Sequence, residues 1–394
     1  MVCVTTGSGA LRAARLNLGW SQARVAEALA ALAAERGISV AAPASLKTQL
    51  SRWENHHVAP EDHYRVLLCE LYGSSSEELG LLTASATAEN DLDEAGALRA
   101  ELAAAAAVDE PALELLRAQL SATAALDHRL GTVAVADSVG AQLSQLERAL
   151  AHAVADHARG ALARLVAAAA TLAGRIAVDT CRPATAWRHY ETAKRAGHVA
   201  ESAVMVGCAT IEQAEVLLEI GEDKLALELV EKAMKLATPK SPPAFRAWLA
   251  ASEGTALAAS GAGRRARSAF NVAEDQLTAH PPRVDTQFFE PSVTRFDRAA
   301  LHQQRGHALH VLHDDEEAIV ELTLALRVGG GSAREIASLH VDLAHAYTST
   351  GQTLAAREHA QSARELAVRI GSTRLAARLD AGPSESRTPS ATGS

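Results

Sequence analysis

The chain has 394 residues, a formal net charge of −9 and no apolar run as long as the ~20 residues that a membrane-spanning helix needs. Its four cysteines are scattered without a Cys-x-x-Cys pair, which argues against a disulfide framework and suits a reducing compartment. Hydrophobic residues form 48% of the chain but aromatic residues only 3%, and alanine, the strongest helix former, supplies much of that content. Since the N-terminus also lacks a signal-peptide pattern, we expect a cytoplasmic, all-α protein of two or more domains with no membrane partner.

The first predicted elements are two helices within residues 11–36. The first ends at Gly19, because glycine commonly terminates helices. The second begins after Ser21, whose hydroxyl can accept a hydrogen bond from a free N–H of the first turn, and it stops at Gly37. Apolar residues recur at helical spacing in both segments, at Leu11, Ala14 and Leu18 and then at Val25, Ala28, Leu29 and Leu32.

A third helix is predicted to begin at or beside Ser45. Its apolar face consists of Leu46, Leu50 and Trp53, which we expect in the core. The opposite face carries hydrogen-bond donors of the kind that read base edges in a DNA major groove. A polar face of this kind is also common on helices that meet only solvent. The donors are Lys47, Thr48, Gln49 and Arg52.

Two runs, Arg15-Leu-Asn-Leu-Gly-Trp-Ser-Gln22 and Leu50-Ser-Arg-Trp-Glu-Asn55, resemble the Xre family of helix-turn-helix regulators. The resemblance implies that Gln22 contacts a DNA phosphate and that Arg15 forms a structural ion pair with Glu54. Residues 37–44 lengthen the turn that the family has between its second and third helices. The base-reading residues that the resemblance implies are Lys47, Thr48 and Gln49, with Arg52 on the next turn.

The distribution of charge fits such a DNA-binding segment. Residues 1–58 contain six lysines and arginines against three acidic residues, although the whole chain is acidic. A basic segment on an acidic body suits a protein that contacts phosphates at one end. Because phosphate neutralisation dominates affinity and this segment is only weakly basic, we expect a homodimer on a two-fold operator in double-stranded DNA.

The sequence of residues 59–165 predicts the end of the first domain and a connecting segment that leads to the next domain. A packing helix is predicted at 63–72, a linker at 83–92, and helices over 93–165 that break near Pro111 and Gly131. The run Asp127-His-Arg-Leu-Gly131 is similar to one in large actinobacterial regulators that join a helix-turn-helix domain to a repeat body. The predicted divisions are a DNA-binding domain at 1–82, a connecting segment at 83–165, a repeat domain at 166–380 and a disordered tail at 381–394.

The repeat domain is predicted from five turn residues spaced 38 to 52 positions apart. A small residue precedes each turn residue by seven positions, and alanine follows each by five and by twelve positions. Two antiparallel helices approach closely only where side chains are small, so this pattern predicts stacked helix pairs, with a proline-bounded loop at 279–291. The turn residues are Cys181, Gly221, Gly261, His313 and Gly351, and the small residues before them are Gly174, Ala214, Gly254, Gly306 and Ala344.

This pattern resembles the tetratricopeptide repeat, lengthened from its usual unit of about 34 residues. The resemblance implies a solenoid whose units pack only on their neighbours and whose first helices line a concave groove. A groove for a peptide or small effector and an ordinary solvated helix face are both consistent with the polar residues placed there. Those residues are Arg175, Glu215, Thr255, Gln303, His307, His310, His345 and Thr348.

No metal, cofactor or enzymatic activity is predicted. His307, His310 and His313 lack a His-Glu-x-x-His run and the last of them lies at a turn, so a pH-sensitive face is the better interpretation. Phosphate-loop, dinucleotide-binding and nucleophile-elbow motifs are missing from the sequence.

The sequence therefore predicts a transcriptional regulator whose head binds operator DNA and whose repeat body dimerises and senses an effector. One alternative is an adaptor in which the repeats recruit a protein partner and the head does not use DNA. Another is a repressor that acts without a ligand.

Overall fold

The computed structural model describes residues 9–55, 58, 60–81, 84–279, 296–329 and 331–385, excluding the side chains of 84–93 and 383–385. Over these residues the chain is all-helical, as predicted, with 18 α-helices and no strand. It divides into two compact units, residues 1–100 and 101–394. The predicted loop at 279–291 lies, beyond Ala279, outside the described residues.

The first unit begins with four helices: α1 (Ala10–Asn17), α2 (Gln22–Glu35), α3 (Pro43–Glu54) and α4 (Asp62–Tyr72). Ser21 caps α2 as predicted, because its hydroxyl accepts a hydrogen bond from the Arg24 N–H at 3.2 Å. Helix α3 begins at Pro43 rather than at the predicted Ser45. Proline is well suited to the first helical position, where its missing N–H costs no hydrogen bond.

Most of the predicted apolar residues form the core of the first unit, but Leu18 is 48% exposed and lies outside it. Leu46, Leu50 and Trp53 of α3 are all buried and pack with Leu11 and Leu29. Residues 36–42 connect α2 to α3, and Ile38, Val40 and Ala41 pack against the same core. The N–H of Ala41 also donates to the Tyr64 hydroxyl at 3.0 Å. The lengthened connection is therefore fixed to α4, which gives α3 a defined position.

Residues 84–92 of the predicted linker at 83–92 are helical and belong to helix α5 (Ala84–Ala106). Alanine forms nearly half of α5 and favours helix without any packing partner. Helix α6 (Glu110–Leu130) begins after Asp109, whose carboxylate accepts a hydrogen bond from the Ala112 N–H at 3.0 Å. A 3₁₀ turn at Thr132–Ala134 leads to α7 (Ala136–His152), and both α6 and α7 pack on the next helix of the second unit.

Five helix pairs and a last helix follow. The pairs are α8 (Asp156–Asp179) with α9 (Pro183–Val199), α10 (Ala203–Glu219) with α11 (Asp223–Met234), α12 (Pro243–Ala259) with α13 (Gly263–Ala279), α14 (Arg298–Val311) with α15 (Asp315–Val328), and α16 (Ala333–Ser349) with α17 (Thr353–Ile370). Helix α18 (Thr373–Glu385) extends into the predicted disordered tail with a break at Gly382. Residues 386–394 of that tail lie outside the described residues.

Small residues set the distance between the helices of each pair. All five predicted turn residues have positive φ, between 54° and 80°, which reverses the chain between the two helices. A Cβ atom on Gly254 would lie 2.7 Å from the Phe270 ring, and one on Gly306 would lie 2.6 Å from Leu322. These contacts leave no room for a side chain, so the predicted small-residue pattern marks real helix crossings.

The first helices of the pairs, α8, α10, α12, α14 and α16, pack side by side and are called the inner layer below. The prediction that each unit packs only on its neighbours is wrong. Helix α16 contacts α6, and α18 contacts α8. Arg334 at the start of α16 donates hydrogen bonds to Asp127 of α6 and to Asp179 of α8. Because the offset between successive pairs accumulates into curvature, the two ends of the array meet.

Helix α8 is long and apolar enough, by length and composition, to cross a membrane, and it is the one such helix among the described residues. From the sequence, no apolar run long enough to cross a membrane was expected. However, 78% of its most apolar window is buried inside the second unit, where α7, α9 and α10 pack around it. This is the environment of a helix in the core of a folded domain.

Candidate nucleic-acid interface and inner polar face

Three side chains join α1, α2 and α3 at one point. Arg15 donates to both carboxylate oxygens of Glu54, from Nε at 2.6 Å and from Nη2 at 3.0 Å, and the hydrogen bond raises the pKa of Arg15. The Gln22 amide donates to Glu54 at 2.7 Å. The Glu54 side chain is 2% exposed, so the pair is structural. Gln22, the predicted phosphate contact, is half-buried and keeps a second amide N–H.

A cleft opens beside this cluster at the N-terminus of α2. The first N–H groups of a helix have no intrahelical partner and carry a partial positive charge, so a helix N-terminus attracts anions. Two exposed cations, Arg12 and Lys47, reach the same cleft from α1 and α3. Arg12 was not predicted as a site residue. The lining is Arg12, Arg15, Ser21, Gln22, Ala23, Lys47, Glu54 and Asn55.

The outward face of α3 carries three of the four predicted base-reading residues in exposed positions, Lys47, Thr48 and Arg52. Gln49 differs, because it is half-buried and its Oε1 is buried without a hydrogen-bond partner among the described residues. Arg24 adds an exposed cation on α2, 5.3 Å from the centre of the Trp20 ring. Cations therefore lie on α1, α2 and α3 of the first unit.

The predicted ligand-binding residues lie in the second unit along the inner layer, and the surface that they form is called the inner polar face below. Arg175 of α8 is half-buried, and its Nε has no hydrogen-bond partner among the described residues. Burial opposes its charge, but Glu212 and Asp127 raise the pKa of Arg175. Glu215 of α10 remains exposed to solvent. The surrounding protein and then the like charge of Glu212 raise the pKa of Glu215 to about 8.

The remaining predicted residues connect α14 with α16. The Gln303 amide donates to the backbone carbonyl of Glu335 at 3.2 Å, and His307 Nδ1 lies 3.0 Å from the Asp342 carboxylate. His310 pairs with Asp315. His345 is 5% exposed and its Nε2 has no partner among the described residues. Gln303, His307 and His310 thus make contacts inside the protein, while Arg175 and His345 retain unpaired polar atoms. Thr255 and Thr348 bond to carbonyls of their own helices.

Sequence reasoning missed the arginines of α16 and α18 that complete this face. Arg374 donates to Glu219 of α10 at 2.6 Å, and Arg378 donates to Asp342 at 2.7 Å. Burial would raise the pKa of both acids, but the cations hold the pKa of Glu219 at about 2 and that of Asp342 well below its usual range. The repeated Arg-Leu pair of α18 was visible in the sequence, but its acidic partners lie at distant positions.

Acid should weaken the second unit through His345. Desolvation lowers the pKa of His345 from 6.5 to about 4, so between these values the unfolded chain binds a proton that the folded chain excludes. Stability present at pH 7 is therefore lost as the pH falls toward 4, by up to about 3 kcal/mol. His345→Gln should show a smaller loss between pH 7 and pH 4.5 than the wild type in denaturant titrations. Equal losses in the two proteins would contradict the assignment.

Two further histidines lie on the last helix pair, α16 and α17. His340 and His359 approach with Nδ1 atoms 2.8 Å apart, and the Tyr347 ring stacks on His359. Burial lowers the pKa of both histidines, which keeps them neutral so that one ring can donate to the other. Within the part of the chain that the structure describes, no three histidine, cysteine or acidic side chains form a metal-binding group.

Comparison with known proteins gives no family for this chain. No protein-family model matches it, and no curated protein matches it.

Proposed function

We propose that this chain is a cytoplasmic, sequence-specific DNA-binding transcriptional regulator, with a helix-turn-helix head of the Xre type and a body of tetratricopeptide-like helix pairs. The observation that carries the proposal is the exposed donor face of α3 beside the cationic cleft at the N-terminus of α2. The ion pair of Arg15 with Glu54, which the Xre resemblance implies, supports it.

In this proposal the cleft binds a DNA phosphate and α3 enters the major groove. Arg12 and Lys47 supply charge, while Gln22 and the first N–H groups of α2 donate hydrogen bonds to the phosphate oxygens. Arg52 and Thr48, on the exposed side of α3, reach base edges. Gln49 requires a side-chain rotation to do so, because its Oε1 points into the protein.

The body of the proposed regulator forms a homodimer and senses a peptide or small molecule at the inner polar face. Arg175 and His345 support a ligand role, because each has a buried nitrogen without a hydrogen-bond partner among the described residues. Such atoms are costly to leave unsatisfied, and a polar ligand can satisfy them. A ligand would change DNA affinity only by binding two states of the protein unequally.

The test of DNA recognition is binding to fragments selected from the native genome. Arg52→Ala should weaken binding to the best fragment by about 1–3 kcal/mol, or roughly 5- to 150-fold at fixed salt. Lys47→Ala, which removes a phosphate contact, should weaken binding to selected and unselected fragments alike. Arg36→Ala is the matched control, because Arg36 is exposed at the far end of α2 and its ion pair is with Glu70. We expect the control to bind within about twofold of the wild type.

Unchanged binding by both α3 variants would exclude α3 as the reading helix. A failure to select any fragment, with the fold intact, would instead favour the adaptor, in which the inner layer recruits a protein partner. In that case partner capture should depend on inner-layer residues such as Glu215 and not on Lys47.

A further inference from the structure

The last helix, α18, crosses the inner layer instead of only covering the final pair. It packs on α16 and α17 and also contacts α8. Arg374 reaches Glu219 of α10 with two hydrogen bonds, at 2.9 Å from Nε and 2.6 Å from Nη2. One helical turn later, Arg378 donates to Asp342 at 2.7 Å and to the Ser338 hydroxyl at 3.1 Å. Helix α18 therefore contacts helices at both ends of the array.

The contacts of α18 resemble those of a bound peptide helix. An arginine followed by a leucine occurs twice in α18, four residues apart. In each of these pairs the arginine contacts a carboxylate. Leu375 is fully buried against α16 and α17, and Leu379 packs on the same cluster. Apolar and cationic anchors one turn apart are the usual means by which a helix is recognised in a groove.

The inner layer also offers a carboxyl group here that α18 does not pair. Glu212, Glu215 and Glu219 lie on one face of α10, because residues three and four apart are neighbours on a helix. Arg374 pairs with Glu219, whereas Glu215 has no ion pair among the described residues, and its pKa of about 8 leaves it mostly protonated at pH 7. A helix with an additional cation near Glu215 would favour the ionised form of this carboxyl group and gain an ion pair that α18 does not make.

We propose that the inner layer is a docking site for a basic amphipathic helix of a partner chain, and that α18 is the built-in competitor for this site. The inference names the ligand class of the proposed effector site and therefore rests on that part of the proposed function, though not on DNA binding. The partner helix carries two arginines four residues apart, each followed by a large apolar residue. Binding of the partner displaces α18.

The experiment uses the full chain and a labelled peptide of residues 371–382, Gly-Ser-Thr-Arg-Leu-Ala-Ala-Arg-Leu-Asp-Ala-Gly. In the wild type the tethered α18 competes at a high effective concentration, so the peptide should bind weakly. Arg374→Ala/Arg378→Ala releases the tethered helix, and the peptide should bind this variant at least tenfold more tightly. Adding Glu219→Gln should remove that gain, and a peptide with both arginines replaced by alanine should bind neither protein.

Equal peptide binding by the wild type and a folded double variant would overturn the proposal, since α18 would then be only a structural cap. If the double variant does not fold, amide hydrogen exchange of the wild type decides the question. Excess peptide should then accelerate exchange at residues 373–382, and unchanged exchange would overturn the proposal. Both measurements are independent of the α3 variants, so a failure here leaves the DNA-binding test unaffected.

Discussion

Arg334→Leu should lower the free energy of unfolding of the second unit by about 3–5 kcal/mol at pH 7. Arg334 donates to both carboxylate oxygens of Asp127, at 2.9 and 3.1 Å, and also to Asp179 and the Thr132 hydroxyl. Asp127 and Asp179 are 4% and 1% exposed. Removal of the cation leaves two buried carboxylates uncompensated at the point where the ends of the array meet. Denaturant titration followed by circular dichroism measures the loss.

The matched control is Arg357→Leu, because Arg357 is an exposed arginine of the neighbouring helix α17. We expect this control to change stability by no more than about 0.5 kcal/mol. Adding Asp127→Asn and Asp179→Asn to Arg334→Leu should restore part of the loss, because no charge then remains buried. A loss below about 1 kcal/mol in the single variant would show that the two ends are not held by this cluster.

The decrease in the free energy of unfolding caused by Arg334→Leu should also be smaller in acid. Burial alone would raise the pKa of Asp127, but its hydrogen bonds with Arg334 lower it below 3.8. The stabilisation from this pair is therefore present above pH 3.8 and is lost as the pH falls through the lower folded-state value. The difference between variant and wild type should accordingly be larger at pH 7 than at pH 3.

Glu54→Ala should destabilise the first unit by about 3–5 kcal/mol. The substitution leaves the Arg15 guanidinium, 10% exposed, without its carboxylate and frees the Gln22 amide. The effect is read by amide hydrogen exchange, in which α1, α2 and α3 should lose protection together. Helices of the second unit serve as an internal reference.

Glu27→Ala is the matched control, because Glu27 is an exposed glutamate on α2. Its exchange pattern should equal that of the wild type. If Glu54→Ala left α1 and α3 as protected as in the wild type, the three helices would be held together by their apolar core alone.

Local sequence patterns predicted the elements that local physics controls. Ser21 predicted a cap, glycines predicted helix ends, and the apolar spacing of α3 predicted its buried face. The pattern of small residues predicted the crossings of the helix pairs. These features depend on residues within a few turns of one another or on a repeated spacing, so a single sequence carries them. The sequence did not predict that residues 84–92 are helical, because small polar residues occur both in loops and in helices.

The tertiary structure decided the features that join distant parts of the chain. Asp127 and Arg334 are 207 positions apart, and no spacing rule predicts that the curvature of the array brings them together. The same closure places α18 against Glu219 and changes a predicted open groove into an occupied face. The sequence by itself determined which helices form and which sides they bury. Only the accumulated offset of successive helix pairs, a property of their packing, determined which charges meet.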